Sequence, residues 1–202
     1  VFPKDVDFRK LPINNAFEHN VDFSMATIKG WANFREIRFQ GHVSFESVNF
    51  EGSPDFREAT FIKEADFSNA VFENKGRFEG VVFEEKSDFS RITFNDKAEF
   101  RETTFKGESD FTRGSLGGGA DFWDASFKES SNFQDACFGQ DANFSWAQFE
   151  KEVNFRRSTF VGGVKFSGAG FGEEADFRGI DFEGKVDFMN ASFEGNAEFF
   201  AT

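Results

Sequence analysis

The feature that most constrains this chain is a phenylalanine that returns every eleven residues. Steps of eleven from Phe23 to Phe199 give 17 positions, and all of them are Phe. A second series runs from position 28 to position 193 and holds Phe at 14 of its 16 positions, the exceptions being Ile28 and Leu116. The two series alternate at spacings of five and six residues. So strict a repeat indicates a chain of stacked, nearly identical units.

Small or β-branched residues lie two positions before each Phe, as Ala65, Ala70 and Gly76 illustrate. At the helical step of about 100° per residue, these apolar positions would scatter around the axis without forming a stripe. In a strand, residues two apart point to the same side. The pattern therefore predicts short strands whose small residue and Phe both point inward, joined by corners.

Several five-residue units carry a recognisable motif: ADFSN, ADFWD, ANFSW and ADFRG, at residues 65–69, 120–124, 142–146 and 175–179. They resemble the units of the pentapeptide-repeat family, which read Ala-Asp/Asn-Leu/Phe-x-x. The resemblance covers most of the chain and implies an all-β fold, a right-handed four-sided parallel β-solenoid. The departure is one extra residue after every second unit, which makes two eleven-residue repeats one coil. We expect about eight coils of 22 residues over 21–202, a rod of ~40 Å.

The ends and corners of this rod are predicted as follows. Residues 1–20 fit the repeat poorly and are expected to form an irregular N-terminal cap, with an insertion of about four residues and with Pro3 and Pro12 discouraging strand addition. The residues just before the extra one tolerate positive φ, which a widened turn would use; they include Gly41, Gly52, Asn74, Asp96 and Gly107.

Residues one coil apart should stack, which explains the phenylalanine register. One such column in the core consists of Phe67, Phe89, Phe111, Phe133, Phe155 and Phe177. Each buried ring contributes about 1.5–3 kcal/mol, and Leu116 should loosen one layer. Folding alone accounts for the register, so it indicates no function.

Composition narrows the classes of function. The net charge of −13 disfavours direct binding to nucleic acid or to an anionic membrane and allows basic partners. A single cysteine, Cys137, excludes an internal disulfide framework and suits a reducing, cytoplasmic compartment. No segment approaches the ~20 apolar residues of a membrane-spanning helix. The chain begins with Val, so a leader or anchor could lie outside it.

The sequence predicts no enzyme, cofactor or metal site. His19 and His42 lie about one coil apart, but no Cys/His spacing supplies further ligands. Asp66, Asp88 and Asp110 stack in an outward position that the family resemblance assigns to corner hydrogen bonds. Cys137 has no basic neighbour in the sequence to activate it.

Two kinds of protein partner remain open. The preferred interpretation is a protein-interaction or scaffold solenoid whose partner is unknown. The alternative comes from the family resemblance, because some members imitate DNA and bind the type II topoisomerase gyrase. A ~40 Å duplex would carry about 24 negative charges, and the acidic residues here form no single stripe. The gyrase-binding relatives also usually dimerise through a C-terminal helix, and this sequence ends without an amphipathic one.

A candidate partner surface combines two tryptophans with a corner that lacks side chains. Trp123 and Trp146 are expected to lie outward on one side, bordering Gly117, Gly118, Gly119 and Gly139, with Gly162 and Gly163 above. Exposed indoles beside accessible backbone favour protein binding. At the C-terminal end, Phe199 and Phe200 predict either an end-to-end homodimer or coverage by residues outside this chain.

Overall fold

Two-residue strands, each followed by a corner, make up nearly all of this protein. The computed structural model describes residues 1–2, 4–10 and 15–199. Its strands pair in parallel with strands one coil away and form four sides, here named A to D in the order in which the chain visits them. The described residues contain one short 3-10 helix, Phe8–Lys10. The predicted all-β parallel solenoid with four sides is confirmed.

The strand bounds, side by side, are these. Side A contains Thr27–Ile28, Asn49–Phe50, Val71–Phe72, Thr93–Phe94, Ser115–Leu116, Cys137–Phe138, Thr159–Phe160 and Asp181–Phe182. Side B contains Val6–Asp7, Ala32–Asn33, Gly76–Arg77, Ala98–Glu99, Ala120–Asp121, Ala142–Asn143, Val164–Lys165 and Val186–Asp187. Side C contains Ala16–Phe17, Arg38–Phe39, Thr60–Phe61, Val82–Phe83, Thr104–Phe105, Ser126–Phe127, Gln148–Phe149, Gly170–Phe171 and Ser192–Phe193. Side D contains Val21–Asp22, Val43–Ser44, Ala65–Asp66, Ser87–Asp88, Ser109–Asp110, Ser131–Asn132, Val153–Asn154, Ala175–Asp176 and Ala197–Glu198.

The register holds at one coil of 22 residues, as in the pairing of Ala65 with Ser87. Near the N-terminus it changes once. Ala16 pairs with Arg38, 22 residues on, whereas Val6 pairs with Ala32, 26 residues on. Four additional residues therefore lie between Val6 and Ala16, within the segment predicted to be a cap, and the coil continues on both sides of them. Pro3, Pro12 and Phe200 lie outside the described residues.

The two phenylalanine series occupy different parts of the core. Rings of sides B and D, the unbroken series, meet edge to face in the centre, as Phe100 does with Phe89 at 5.4 Å and with Phe111 at 5.5 Å. Rings of sides A and C flank this centre, and among the described residues none of side A contacts one of side C. Within each column rings stack, Phe67 lying 4.8 Å from Phe45 and 4.9 Å from Phe89.

The corners are also of two kinds. Five-residue units end in a tight turn, between sides B and C and between D and A. Its second residue has positive φ, in residues as different as Met25, Arg91 and Trp146. The six-residue units end in a wide corner, between A and B and between C and D.

The expectation of positive φ at the wide corners was wrong for Gly41, Gly52, Asn74, Asp96 and Gly107. Glycine serves another purpose there, because a Cβ at Gly52 or Gly107 would collide with the backbone of the preceding coil. The extra residue gives the wide corner more room, whereas the tight turn must lead the chain from one side to the next within two residues.

Aspartate and asparagine on sides B and D hold the tight turns. The side chains of Asp66, Asp88 and Asp110 each accept a hydrogen bond from the backbone N–H two residues later, at 2.8 to 2.9 Å. Asn132, Asn143 and Asn154 do the same. An oxygen at this position satisfies a turn N–H that no strand pairs.

Candidate interaction surface

The two tryptophans and the glycine corner lie at opposite edges of side B. Gly117, Gly118 and Gly119 form the wide corner that leads into the strand Ala120–Asp121. Trp123 follows that strand as the first residue of the tight turn, and Trp146 is the second turn residue one coil later. In the structure these residues therefore all border side B, and the length of one strand separates the tryptophans from the glycine corner.

The two indoles differ in exposure. Trp123 is partly buried, and the guanidinium of Arg101 lies 4.8 Å from the centre of its ring. Trp146 is 55% exposed and has a φ of 64°. Its ring lies against Gly168, where an added Cβ would come within 2.8 Å of Trp146 Cε3. Trp146 therefore presents a large apolar surface to solvent from a turn that needs no aromatic residue.

The glycine corner is required by the backbone as well as being open. A Cβ at Gly118 would collide with Asp96 of the coil before it, and one at Gly162 would collide with Gln140. Gly119 has a φ of 91°, a conformation in which any side chain would be strained. Gly139 continues the corner one coil later, with its Cα close to the backbone of Gly117. Close stacking therefore explains these glycines without a partner.

A depression of about 650 Å³ runs along side B between these two edges. Its floor is the strand backbone of Ala120, Ala142 and Val164, and its walls carry charged and amide side chains. The Asp121 carboxylate lies in one wall and is engaged by Lys97 at 3.1 Å and Asn143 at 3.0 Å. Lys165 and Lys185 line the same depression and form no ion pair with the described residues.

Comparison with protein families fits this coil geometry. The model for pentapeptide repeats matches residues 45–93, 78–126, 89–136 and 122–170. The chain belongs to the pentapeptide-repeat family. Comparison with curated proteins and with solved structures finds no match. The pentapeptide-repeat solenoid is generally a non-catalytic scaffold, and no described helix is long and apolar enough to span a membrane.

The residues examined for chemistry have structural partners in this pentapeptide-repeat fold. His42 Nδ1 lies 3.6 Å from Glu64, and both side chains are more than half exposed. Asp66, Asp88 and Asp110 hold turns, as the family resemblance implied. Cys137 is exposed on side A, between Ser115 and Thr159.

One carboxylate cluster was not anticipated from the sequence. Oxygens of Glu174, Asp176 and Glu198 lie within 4.8 Å of one another on side D. The Arg178 guanidinium pairs with two of them, at 2.6 Å from Asp176 and 3.0 Å from Glu198. Hydrogen bonding from Arg178 lowers the pKa of Asp176 despite its burial. The 22-residue period could have revealed the pairing of Asp176 with Glu198.

Proposed function

We propose that this chain is a non-enzymatic docking rod that binds a protein partner along side B. The observation that carries the proposal is the exposed Trp146 beside the depression, at a turn position where glycine serves in other coils. Tryptophan supplies a large rigid contact area together with a polar N–H, which makes it a frequent energetic anchor of interfaces. Trp123, steadied by Arg101, would be the second anchor.

The depression supports this assignment, because it lies over the side B strands that separate the turns of Trp123 and Trp146 from the glycine corner. Exposed backbone at Gly117 and partly exposed backbone at Gly139 let a partner approach closely. Lys185 offers a cation without an ion pair among the described residues, and Lys165 interacts only through space with Asp187. Other sides lack such a combination of exposed indole, groove and free cation within the described residues. The partner's identity is left to experiment.

The test is a pair of tryptophan substitutions with a matched control. Trp123→Ala combined with Trp146→Ala should leave the fold intact and abolish binding of a purified partner first found with the wild type. The control is Trp31→Ala, because Trp31 is also exposed but lies near the N-terminal end of the rod. Full affinity in the double variant, or equal loss in Trp31→Ala, would remove the Trp123 and Trp146 surface from consideration.

Imitation of DNA is the second candidate, favoured by the net charge of −13. Ion pairs between successive coils weaken it. Along the C–D corner Lys63 pairs with Glu85 at 2.6 Å, Lys106 with Glu84 at 2.9 Å and Lys151 with Glu173 at 2.8 Å. Inhibition of gyrase supercoiling by the wild type would establish this alternative, and its absence would support the docking rod.

End-to-end pairing of two copies stays a prediction. Phe193 and Phe199 of the last described coil are 38% and 49% exposed, and the strand Ala197–Glu198 has one unpaired edge. Two such ends would bury these rings against each other. Light scattering should show dimers of this chain that Phe199→Ser reduces. A strict monomer at high concentration would contradict the prediction.

A further inference from the structure

Side A carries a local excess of positive charge on an otherwise acidic rod. We call residues 90–95, 112–117, 134–139 and 156–161 the arginine face; these are four successive passes of the chain through the D–A turn and across side A. The face contains four arginines, Arg91, Arg113, Arg156 and Arg157, and one carboxylate, Asp135. Its charge is therefore positive, whereas the whole chain has a net charge of −13.

Three of these arginines form a column at the second position of the tight turn. Arg91 and Arg113 are one coil apart, and Arg157 lies two coils beyond Arg113, with Asp135 between them. All four column positions have positive φ, between 53° and 57°, so their side chains leave the turn in the same backbone geometry. The arginine heads are thus repeated along the rod axis at multiples of the ~4.8 Å strand spacing.

Asp135 interacts most strongly with Arg157 and more loosely with Arg113, and it leaves Arg91 and Arg156 unpaired among the described residues. Its oxygens lie 2.7 and 3.1 Å from Arg157, a two-pronged ion pair, whereas Arg113 lies 3.9 Å away with its side chain 62% exposed. These cations, with a hydrogen bond from Gln134, hold the pKa of Asp135 at about 2 against partial burial. Arg91 and Arg156 form no ion pair with the described residues. Of the side D carboxylates, Asp88 and Asp110 accept N–H groups of their own turns, and Asp176, which interacts electrostatically with Arg156, is paired with Arg178.

The outward strand positions of side A next to this column carry small, uncharged side chains, and acidic residues of the adjoining corner, Asp96 and Asp141, lie beyond them. The outward side chains of side A here are Thr93, Ser115, Cys137 and Thr159, and the adjoining corner carries Asn95, Gly117, Gly139 and Val161. No long side chain of these residues obstructs access to the arginines. A ligand can therefore lie along the rod axis and meet several guanidinium groups at once.

From this placement we propose that the arginine face is a docking surface for an acidic, extended segment of a partner protein. The guanidinium group binds carboxylates through two parallel hydrogen bonds, and carboxylates repeated along a peptide can pair with arginines repeated along the column. The acidic remainder of the rod disfavours large polyanions such as nucleic acid, which selects a short acidic segment. This surface is distinct from the tryptophan surface on side B.

The experiment uses the full chain with hexaglutamate as the probe and hexalysine as its charge-reversed control. Cys137, the single cysteine, is exposed in the middle of the arginine face, so its rate of reaction with a neutral thiol reagent reports occupancy. Measurements at 0.15 M salt limit the influence of the distant acidic sides, because the Debye length is then about 8 Å. Hexaglutamate should protect Cys137 in a saturable manner, and hexalysine should not.

Substitution separates this surface from general electrostatics. Arg91→Gln, Arg113→Gln and Arg156→Gln together retain the Arg157–Asp135 pair and should weaken hexaglutamate binding about tenfold, because three exposed ion pairs with the probe are lost. The matched control, Arg77→Gln, Lys165→Gln and Lys185→Gln, makes the same charge change on side B and should retain affinity. Trp123→Ala with Trp146→Ala should retain it too.

Two results would overturn the proposal. One is failure of hexaglutamate to protect Cys137 in the wild type. The other is equal weakening by the side A and side B triple variants, which would show that net charge alone governs binding. Loss of binding in the tryptophan double variant alone would place the acidic segment on side B instead.

Discussion

Sides B and D differ from sides A and C, although Phe recurs every eleven residues on both pairs of sides. Strands of B and D are followed by tight turns that, in most coils, an Asp or Asn caps, and their rings fill the centre of the core. Strands of A and C are followed by wide corners, their outward residues are mostly uncharged, and their rings lie at the flanks. Both departures from Phe, Ile28 and Leu116, occur on side A, where an inward side chain contacts fewer neighbouring rings.

The comparison shows that the two halves of the eleven-residue repeat have separate roles. The first half supplies the shared centre and the tight turn, so it keeps Phe throughout and an oxygen-bearing side chain in most coils. The second half completes the coil and leaves a flat outer surface. Surfaces for partners can therefore vary on A and C, and at the corners, without disturbing the turns.

Loss of a central ring should have the largest effect. Phe111→Ala is expected to lower the free energy of unfolding by about 3–5 kcal/mol, because it removes a fully buried ring from the centre. Asp110→Ala, in the adjacent outward position, should cost about 1 kcal/mol, the net value of one hydrogen bond. Thermal or denaturant unfolding compares the two. Equal shifts would refute the inward assignment of the Phe series.

Removal of a turn cap should have an intermediate effect restricted to sides B and D. Asp66→Ala deletes the acceptor of the Ser68 N–H, at 2.8 Å, and should cost about 1 kcal/mol. Asp66→Asn retains an acceptor oxygen, as several coils do naturally, and should be nearly neutral. Thr93→Ala on side A should change the unfolding free energy by less than about 0.5 kcal/mol. A cost for Thr93→Ala as large as that of Asp66→Ala would erase the distinction between the sides.

Acid should weaken the D–A turn at Asp135. The hydrogen bonds from Arg157 lower the pKa of Asp135 to about 2, below the ~3.9 of an unfolded aspartate. The ionised carboxylate therefore stabilises the fold fully above pH ~4, and this contribution is lost as the pH falls towards 2. The difference in stability between wild type and Asp135→Asn should shrink over that range, and Arg157→Gln should weaken the pH dependence of the difference, because Arg157 is the largest contributor to it. A difference independent of pH would contradict the assignment.

Inward hydroxyl groups should show the smallest contrast. On side D the hydroxyls of Ser87, Ser109 and Ser131 are buried without a hydrogen-bond partner among the described residues. Before side A, Ser158 Oγ donates to the Phe155 carbonyl at 2.6 Å. Ser109→Ala should be neutral or slightly stabilising, whereas Ser158→Ala should cost about 1 kcal/mol. Denaturant unfolding would contradict this if the two substitutions had the same effect.

Much of the fold could be predicted from the sequence, because Phe and small residues mark both the eleven-residue period and the inward positions. Phe67, Phe89 and their column stack as expected, and Asp66 holds its turn as the family resemblance implied. The left-handed turn conformation could not be predicted from residue type. Met25 and Arg91 adopt it because the corner requires it, and not by their own preference. The flanking role of the second Phe series could not be predicted either, since it depends on packing between coils.

The candidate surfaces were harder to anticipate. The sequence predicted that Trp123 and Trp146 lie on one side. Their unequal exposure depends on Arg101, one coil before Trp123, and on Gly168, one coil after Trp146. The glycine corner also reflects close stacking of backbones, which residue type alone does not distinguish from an open binding strip. Side A's arginine column becomes visible only when residues 22 apart are placed together.

The most direct test of the account compares two phenylalanines of the same coil. Phe100 lies in the centre, on side B, and Phe105 lies at the flank, on side C; both are fully buried. Phe100→Leu should lower the free energy of unfolding by about 0.5–1 kcal/mol more than Phe105→Leu. Phe100 meets Phe89 and Phe111 edge to face at 5.4 and 5.5 Å, whereas Phe105 meets the same two rings at 6.3 and 5.9 Å. Equal losses, or a larger loss for Phe105→Leu, would contradict the division of the core into centre and flanks.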